Sequence, residues 1–311
     1  MSGRSFVIVN PAAGRGRARR AWEATIRPML QSGGLSFTEV YEDRPGAAVL
    51  LAEQATRDGW EIVAAVGGDG TVHEVLNGIL APSAADRPTL AVIPGGTGND
   101  FARGVGIPRD MYVAARLLLD GGQRRRVDVG RVNDRYYGTI AGVGFDAEVA
   151  AEVNRWPKWV AGTVVYTAGI LKKLLTYRCA PSRITIDGES LELPMFLLAA
   201  ANTPWYAGGM YMAPHARADD GRLEVILARD LTRIETLAVL PKVFSGEHLR
   251  HPKVSHREAG EILVTSDVPL AIHADGETVG WAPAHFRALP QALEVLVPAG
   301  PWSPAGAGTG R

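Results

Sequence analysis

Three glycine-rich loops, each directly after a short apolar run, constrain this chain more than any other feature. Asn10-Pro11-Ala12-Ala13-Gly14-Arg15-Gly16 follows the run Phe6–Asn10, and Gly67-Gly68-Asp69-Gly70-Thr71 follows Ile62–Val66. Pro94-Gly95-Gly96-Thr97-Gly98-Asn99-Asp100 follows Leu90–Ile93, and Phe37–Tyr41 supplies a further strand. Helical patterns fill the gaps at Arg15–Ser32, Ala47–Asp58, Val72–Leu80 and Met111–Leu119. The first of them puts Trp22, Ile26, Met29 and Leu30 on one face, with a kink expected at Pro28. Alternating strand and helix predicts a parallel sheet covered on both faces. Ile62–Val66, apolar throughout, suits a strand buried on both sides.

Ligands bind at the carboxyl ends of such strands. Glycines there let backbone N–H groups approach an anion, and the following helix start adds a favourable dipole. One such loop alone is ordinary turn chemistry, but three on one sheet edge point to a phosphate-bearing ligand. Asp69 places a carboxylate inside one of them. That calls for a cation, and Mg2+ is the natural choice. No lysine precedes Lys158, which excludes the G-x-x-x-x-G-K-[ST] loop and the strand lysine of protein kinases. Phosphate charge in the first half must then meet backbone N–H groups, arginine or a metal.

Beyond Gly121-Gly122 the pattern changes. Strand-like runs dominate at Val127–Val132, Tyr136–Val143, Arg183–Ile186, Phe196–Ala201, Leu223–Leu227, Glu261–Val264, Leu270–His273 and Leu293–Val297. Helical stretches interrupt near 160–175 and Ile234–Val243. The expected organisation is an α/β domain over residues 1–125, a mostly antiparallel β domain over 126–300, and a disordered tail over 301–311.

The 311 residues include 33 Lys plus Arg and 33 Asp plus Glu, a formal net charge of +0. That balance gives no support for nucleic-acid binding. The one cysteine, Cys179, forms no internal disulfide and suits a cytoplasmic setting. No signal peptide is expected, since Ser5–Val9 reads as a strand. No apolar run is long enough to span a bilayer.

Val66-Gly67-Gly68-Asp69-Gly70-Thr71 resembles the nucleotide loop shared by diacylglycerol kinases, sphingosine kinases, NAD kinases and phosphofructokinases. Ile93–Arg103 resembles the second signature of the lipid-kinase branch, and Val9–Gly14 matches that branch as well. The resemblance continues through Gly144-Phe145-Asp146-Ala147, Gly208-Gly209-Met210, Ala213-Pro214-His215-Ala216, Asp219–Leu223 and Asp275-Gly276-Glu277. The chain is thus similar to the diacylglycerol kinase and sphingosine kinase catalytic family over almost its whole length. It departs at Glu42, where similar proteins often carry a threonine near the nucleotide.

The resemblance implies an NAD kinase/phosphofructokinase-like nucleotide domain and transfer of the ATP γ-phosphoryl group to a lipid hydroxyl, with a diacylglycerol-like acceptor. ATP would be held by Asn10, Pro11, Ala12, Ala13, Gly14 and Arg15, by Gly67, Gly68, Asp69, Gly70, Thr71, Val72 and His73, and by Thr97, Asn99, Asp100 and Arg103. Asp69, Asp100 and Asp220 would order Mg2+ and its waters, with backbone oxygens of Arg217 and Arg222 beside Asp220. Asp275 and Glu277 would take the hydroxyl proton.

Read on its own residues, Asp275-Gly276 is first a hairpin turn, and Asp187-Gly188-Glu189 repeats the triplet as turn chemistry. His248, His251 and His256 match no familiar metal spacing and read as a solvated loop. His273 reads as packed near the Asp-Gly turn. The aromatic and Met-rich clusters Trp156-Pro157-Lys158-Trp159, with Lys172 and Lys173, and Trp205-Tyr206 with Met210-Tyr211-Met212 read in part as core packing and otherwise as the groove or surface that docks on a membrane. Two rivals remain: a soluble-metabolite kinase of the NAD kinase type, opposed by Pro94–Asp100, and a non-catalytic nucleotide- or lipid-binding regulator, opposed by the full set of carboxylates.

Overall fold

The computed structural model describes residues 4–42, 44–81, 87–154 and 163–300. The chain divides into two compact units: Met1–Val127 with Gln291–Arg311, and Asp128–Pro290. The first unit carries β1 (Ser5–Val9), β2 (Phe37–Tyr41), β3 (Ile62–Gly67) and β4 (Thr89–Pro94). Its helices are α1 (Arg17–Ala21), α2 (Arg27–Ser32), α3 (Ala47–Arg57), α4 (Asp69–Leu80), α5 (Asp100–Val105) and α6 (Met111–Asp120). β1 pairs in parallel with β2 and β3, and β3 with β4. The registers Val9↔Val66 and Val66↔Ile93 bring the ends of β1, β3 and β4 level. Fixed hydrogen-bond register therefore gathers the three glycine-rich loops at one sheet edge.

The expected face of the first helix is observed. Trp22, Ile26 and Leu30 are buried against Val7, Val9, Ala64 and Ile93. Each full burial of such a side chain contributes about 1.5–3 kcal/mol. The expected disturbance falls one turn earlier than Pro28, as a π-helical stretch over Trp22–Ile26. Pro28 has no N–H for the carbonyl of Ala24, and the wider turn accommodates its ring.

The second unit begins within β5 (Gln123–Val132) and adds β6 (Arg135–Tyr137), β7 (Ile140–Gly144), β8 (Ala180–Ile186), β9 (Glu189–Ala201), β10 (Leu223–Arg229) and β11 (Val254–Ala259). It continues with β12 (Glu261–Ser266), β13 (Ala271–Ala274), β14 (Glu277–Trp281) and β15 (Ala284–Val297). Its helices include α7 (Phe145–Asn154), α8 (Thr163–Thr176) and α9 (Arg233–Val239). The sheet order is β14-β13-β7-β9-β8-β12-β15, and β10 pairs with β9 and β11. The ladders β13–β14, β7–β13, β7–β9, β8–β9, β8–β12, β12–β15, β9–β10 and β10–β11 are antiparallel. Met195, Leu198 and Ala200 of β9 enter one core, while Phe196, Ala199 and Ala201 enter another. Alternation along the strand thus serves two packed faces.

Two features differ from the sequence reading. The last strand does not belong wholly to the second unit, because residues 291–297 of β15 join the first, where Val295 pairs in parallel with Leu90 of β4. The helix α7 follows Gly144 where no helix was expected. The residues 301–311, and the Trp156–Trp159 docking segment, lie outside the described residues. No helix among the described residues is long and apolar enough to cross a membrane.

Candidate functional site

In the first unit, the three loops hold one another backbone to backbone. Gly95 N–H donates to Gly67 O at 2.7 Å. A Cβ at Gly14 would meet Gly95 O at 2.4 Å, and one at Gly96 would meet Gly68 Cα at 2.5 Å. These glycines are required by close approach of main chains. Asp69 completes the clasp: its carboxylate accepts from Asn99 N–H at 2.7 Å and Phe101 N–H at 3.2 Å. Asn99, left-handed at φ 55°, accepts from Gly96 N–H through Oδ1 and donates through Nδ2 to Gly96 O. Asn10 donates through Nδ2 to Thr71 Oγ1 at 2.9 Å and accepts from Ala12 N–H at 2.9 Å.

Among the expected nucleotide residues, Arg15, Ala12, Gly70 and Thr97 are exposed at these loops, and Arg103 is half-buried. Pro11, Ala13 and Gly14 are partly covered, and Asp100 is buried at the start of α5. Val72 and His73 turn inward as buried side chains on α4, so the main chain is what they can present. The start of α4 has no side-chain cap at Gly68, so its first N–H groups lack an intrahelical partner and favour an anion. Gly70 differs from its neighbours, because a Cβ there would meet nothing within 4 Å. No internal contact requires it to be glycine.

In the second unit, Asp275 and Gly276 form the two-residue turn between β13 and β14, with φ 50° and 86°. The Asp275 carboxylate accepts from Gly138 N–H at 2.9 Å, from Thr139 N–H at 2.8 Å and from the Thr139 hydroxyl. Glu277 is exposed and pairs with Ala274 as the first residue of β14. The two acids therefore flank a reversal of the chain instead of sharing one strand face.

The same turn connects to a buried dyad. His273 Nε2 lies 2.9 Å from Asp146 Oδ2, and Gly276 N–H donates to His273 Nδ1 at 3.4 Å. With Nδ1 accepting, Nε2 carries the proton and donates to Asp146. His273 and Asp146 are 0% and 7% exposed, and Tyr206 stacks on the imidazole at 5.3 Å. Gly142 leaves the room this pair occupies, since a Cβ there would lie 2.0 Å from Asp146 Oδ2. Asp146 also forms part of the wall of an apolar cavity of about 80 Å³, lined by Phe145, Phe196, Met210, Met212, Ile226 and Val243 among others. Sequence reading matched Asp146 only as part of a motif, since its partner lies far along the chain.

Asp220 sits among like charges. Burial lifts its carboxyl above the ordinary range, and Asp128, Glu258 and Asp219 add to that rise. Arg222 N–H donates to Asp220 Oδ1 at 2.9 Å, and Gly221 N–H to Asp128 Oδ2 at 2.6 Å. Arg217 is paired through its guanidinium with Asp219. Crowded carboxylates that repel each other fit a hard dication held through oxygen. Asp128, 1% exposed, was not singled out from the sequence, where it is one acid in a strand.

Several expectations change. Trp205, Tyr206, Met210 and Met212 are buried and serve the core and cavity, and Tyr211 is half-buried against Trp205. Lys172 and Lys173 are ion-paired with Glu152 and Glu148. His248 is no solvated loop residue: it is 2% exposed, and its Nε2 lies 2.9 Å from Met212 O. His251 Nδ1 accepts from Lys253 N–H, while His256 stands on β11.

A family model described as the diacylglycerol kinase catalytic domain matches residues 4–132, and one described as the YegS C-terminal NAD kinase beta sandwich-like domain matches residues 139–297. Diacylglycerol kinases of Staphylococcus aureus strains MRSA252 and Newman are each 32% identical over 299 residues, covering 96% of this chain and 93% of theirs. A crystal structure of a diacylglycerol kinase from Bacillus anthracis str. Sterne superposes with a TM-score of 0.72 at 22% identity, covering 97% of this chain and 98% of that one. A second from the same organism, presented as a candidate diacylglycerol kinase, gives 0.79 at 24% identity, covering 97% and 96%. These structures share the fold: a parallel-sheet unit followed by a mostly antiparallel β region.

Proposed function

This chain belongs to the diacylglycerol kinase catalytic-domain family, and on that premise we propose that it is an ATP-dependent kinase acting on a lipid hydroxyl, with a diacylglycerol-like alcohol as acceptor. The observation that carries this reading is the apolar cavity whose wall includes Asp146, joined through His273 to the turn that bears Asp275. The cavity lining is mainly Phe, Val, Ile, Leu and Met side chains, which suits part of an acyl chain and offers a dinucleotide few hydrogen-bond partners. That favours a lipid acceptor over a soluble metabolite.

Asn10, Gly67–Thr71 and Thr97 would position the nucleotide, with the uncapped start of α4 facing its phosphates. Arg15 and Arg103 would offset phosphate charge. Bound Mg2+ would neutralise charge on the transferred phosphoryl group. Asp69 and Asp100 in the first unit would hold it or its waters, and Asp220 with Asp128 would hold a separate ion within the second unit. Asp275, fixed by Gly138 and Thr139, would accept the hydroxyl proton, and Glu277 would orient the alcohol. Positioning, charge neutralisation and an oriented nucleophile are what phosphoryl transfer requires.

Access to a bilayer substrate would come through an apolar surface. Leu171, Leu175, Ile234, Leu237 and Phe244 are exposed, Ile234 by 82%, and Arg233 donates to Leu175 O at 2.6 Å. With Lys172 and Lys173 already paired, docking would be driven chiefly by these side chains. Ile234→Asp should reduce vesicle flotation more than added salt does.

The test of function is a panel of lipid alcohols with labelled ATP and mass analysis of products. Lipid-dependent ADP release matched by phosphorylated lipid is expected. ADP release indifferent to every lipid, or phosphorylation of NAD instead, would overturn the reading.

A further inference from the structure

We propose that His215, Glu224 and His256 form a binding site for a divalent transition-metal ion of the Zn2+ class. Glu224 lies on β10 and His256 on β11. Their register pairs Glu224 with Glu258 and Ile226 with His256, so Glu224 and His256 are diagonal neighbours on one face. His215 comes from the segment that precedes β10. One ligand atom from each of the three residues falls within 4.8 Å of the others. The two imidazoles stack at 5.0 Å with an interplanar angle of 20°.

The carboxylate between them supplies the independent evidence for a ligand. Glu224 is 3% exposed. Its Oε2 accepts from His215 N–H at 2.8 Å, which fixes the group. Its Oε1 is buried with no hydrogen-bond donor and lies 3.3 Å from His256 Nδ1. A buried carboxylate oxygen without a donor is unfavourable, and a cation coordinated there would satisfy it. Two imidazole nitrogens and a carboxylate oxygen make a zinc ligand set that leaves one position for water. Imidazole donors select against Mg2+, so this site is chemically distinct from the oxygen-rich surroundings of Asp220. Tetrahedral ligands at about 2.0–2.2 Å from zinc stand roughly 3.5 Å apart, so exposed His215 and His256 need close by only about 1 Å. The bound ion would clamp the His215 segment to the β10–β11 pair.

The experiment uses the full chain, stripped with chelator and dialysed, then titrated with Zn2+ against a chromophoric chelator in excess Mg2+. Wild type should bind Zn2+ tightly, and its thermal midpoint should rise with the metal. His215→Asn and His256→Asn, at exposed positions, should each weaken binding of that equivalent by more than about a hundredfold, beyond the loss typical of outer partners, and lose the thermal response. Glu224→Gln should weaken it as well. Cys179→Ser and His251→Asn should retain both, which excludes the lone thiol and the neighbouring imidazole as donors. Wild-type affinity in His256→Asn, or no zinc-dependent thermal shift in folded wild type, would overturn the site.

Discussion

Asp275 and Asp187 occupy the same place in two copies of one turn. Each is the first residue of an Asp-Gly reversal with φ near 50°, 50° and 46° respectively. Each turns its carboxylate back onto two successive backbone N–H groups: Gly138 and Thr139 for Asp275, Gly260 and Glu261 for Asp187. Their surroundings separate them. Asp187 is met by the Arg222 guanidinium at 2.8 Å. Burial pushes its carboxyl up, but the Glu261 and Gly260 N–H groups together with Arg222 hold it below the ordinary range. Asp275 instead adjoins the His273–Asp146 dyad and Glu277.

The pair therefore offers an internal control. Asp275→Asn and Glu277→Gln should each lower kcat by about a hundredfold or more while nucleotide binding persists. Asp187→Asn, which tolerates the left-handed backbone, should leave kcat near wild type and lower stability by about 1 kcal/mol. Steady-state kinetics beside denaturant melts checks this. Equal kinetic losses at 187 and 275 would remove the catalytic role from Asp275.

Glycines 67 and 70 should respond oppositely to alanine. At Gly67 the new Cβ would lie 2.3 Å from Thr71 Oγ1, the acceptor of the Asn10 bond, so Gly67→Ala should cost about 1–3 kcal/mol. At Gly70 it would meet no protein atom within 4 Å. Gly70→Ala should hold its thermal midpoint while weakening ATP, which isothermal titration would register. An unchanged ATP affinity there would exclude close approach of nucleotide to Gly70.

Gly142→Ala should break the Asp146–His273 contact, because its Cβ would lie 2.0 Å from one partner and 2.8 Å from the other. Stability and turnover should both fall. Adding Asp146→Ala should restore part of the stability but not the turnover, a non-additivity expected of touching residues. A double variant no more stable than the single one would count against the steric explanation.

Burial holds His248 below the usual imidazole range, outweighing its bond to Met212 O. The folded state then binds fewer protons than the unfolded chain. The sign follows: stability is full above the unfolded value near 6.5 and declines as pH falls below it, by at most about 1.4 kcal/mol per pH unit. His248→Gln should flatten the thermal midpoint between about pH 7 and 5. A wild-type slope retained in the variant would assign the acid sensitivity elsewhere.

Much of the parallel sheet was legible because Ile62–Val66 and Leu90–Ile93 are uninterrupted apolar runs ending in glycine, a pattern set by local chemistry. The helix over Phe145–Asn154 was not, since it starts immediately after a strand with no capping signal. Tyr206, Met210 and Met212 read equally as core or as a lipid-facing surface, and only tertiary packing reveals that they wall a cavity. The loops' residues were visible as motifs, whereas their mutual clasp through Asp69 depends on strand register. His215 was read only as part of a motif, His256 only as part of a solvated loop, and Glu224 was not singled out, because antiparallel pairing and a returning segment, not spacing, bring the three together. Asp128 was hidden in the same way.

The return of residues 291–297 to the first unit has a consequence for synthesis. A ribosome releases the segment through β4 long before it makes the strand whose Val295 pairs with Leu90. Until then, β4 has an open edge, and an open edge is a template for wrong partners. Complete pairing must wait for a contact across most of the chain, which slows folding. A nascent polypeptide halted before residue 291 should accordingly depend on chaperones more than the finished one, with the nucleotide loops tethered to an incomplete sheet.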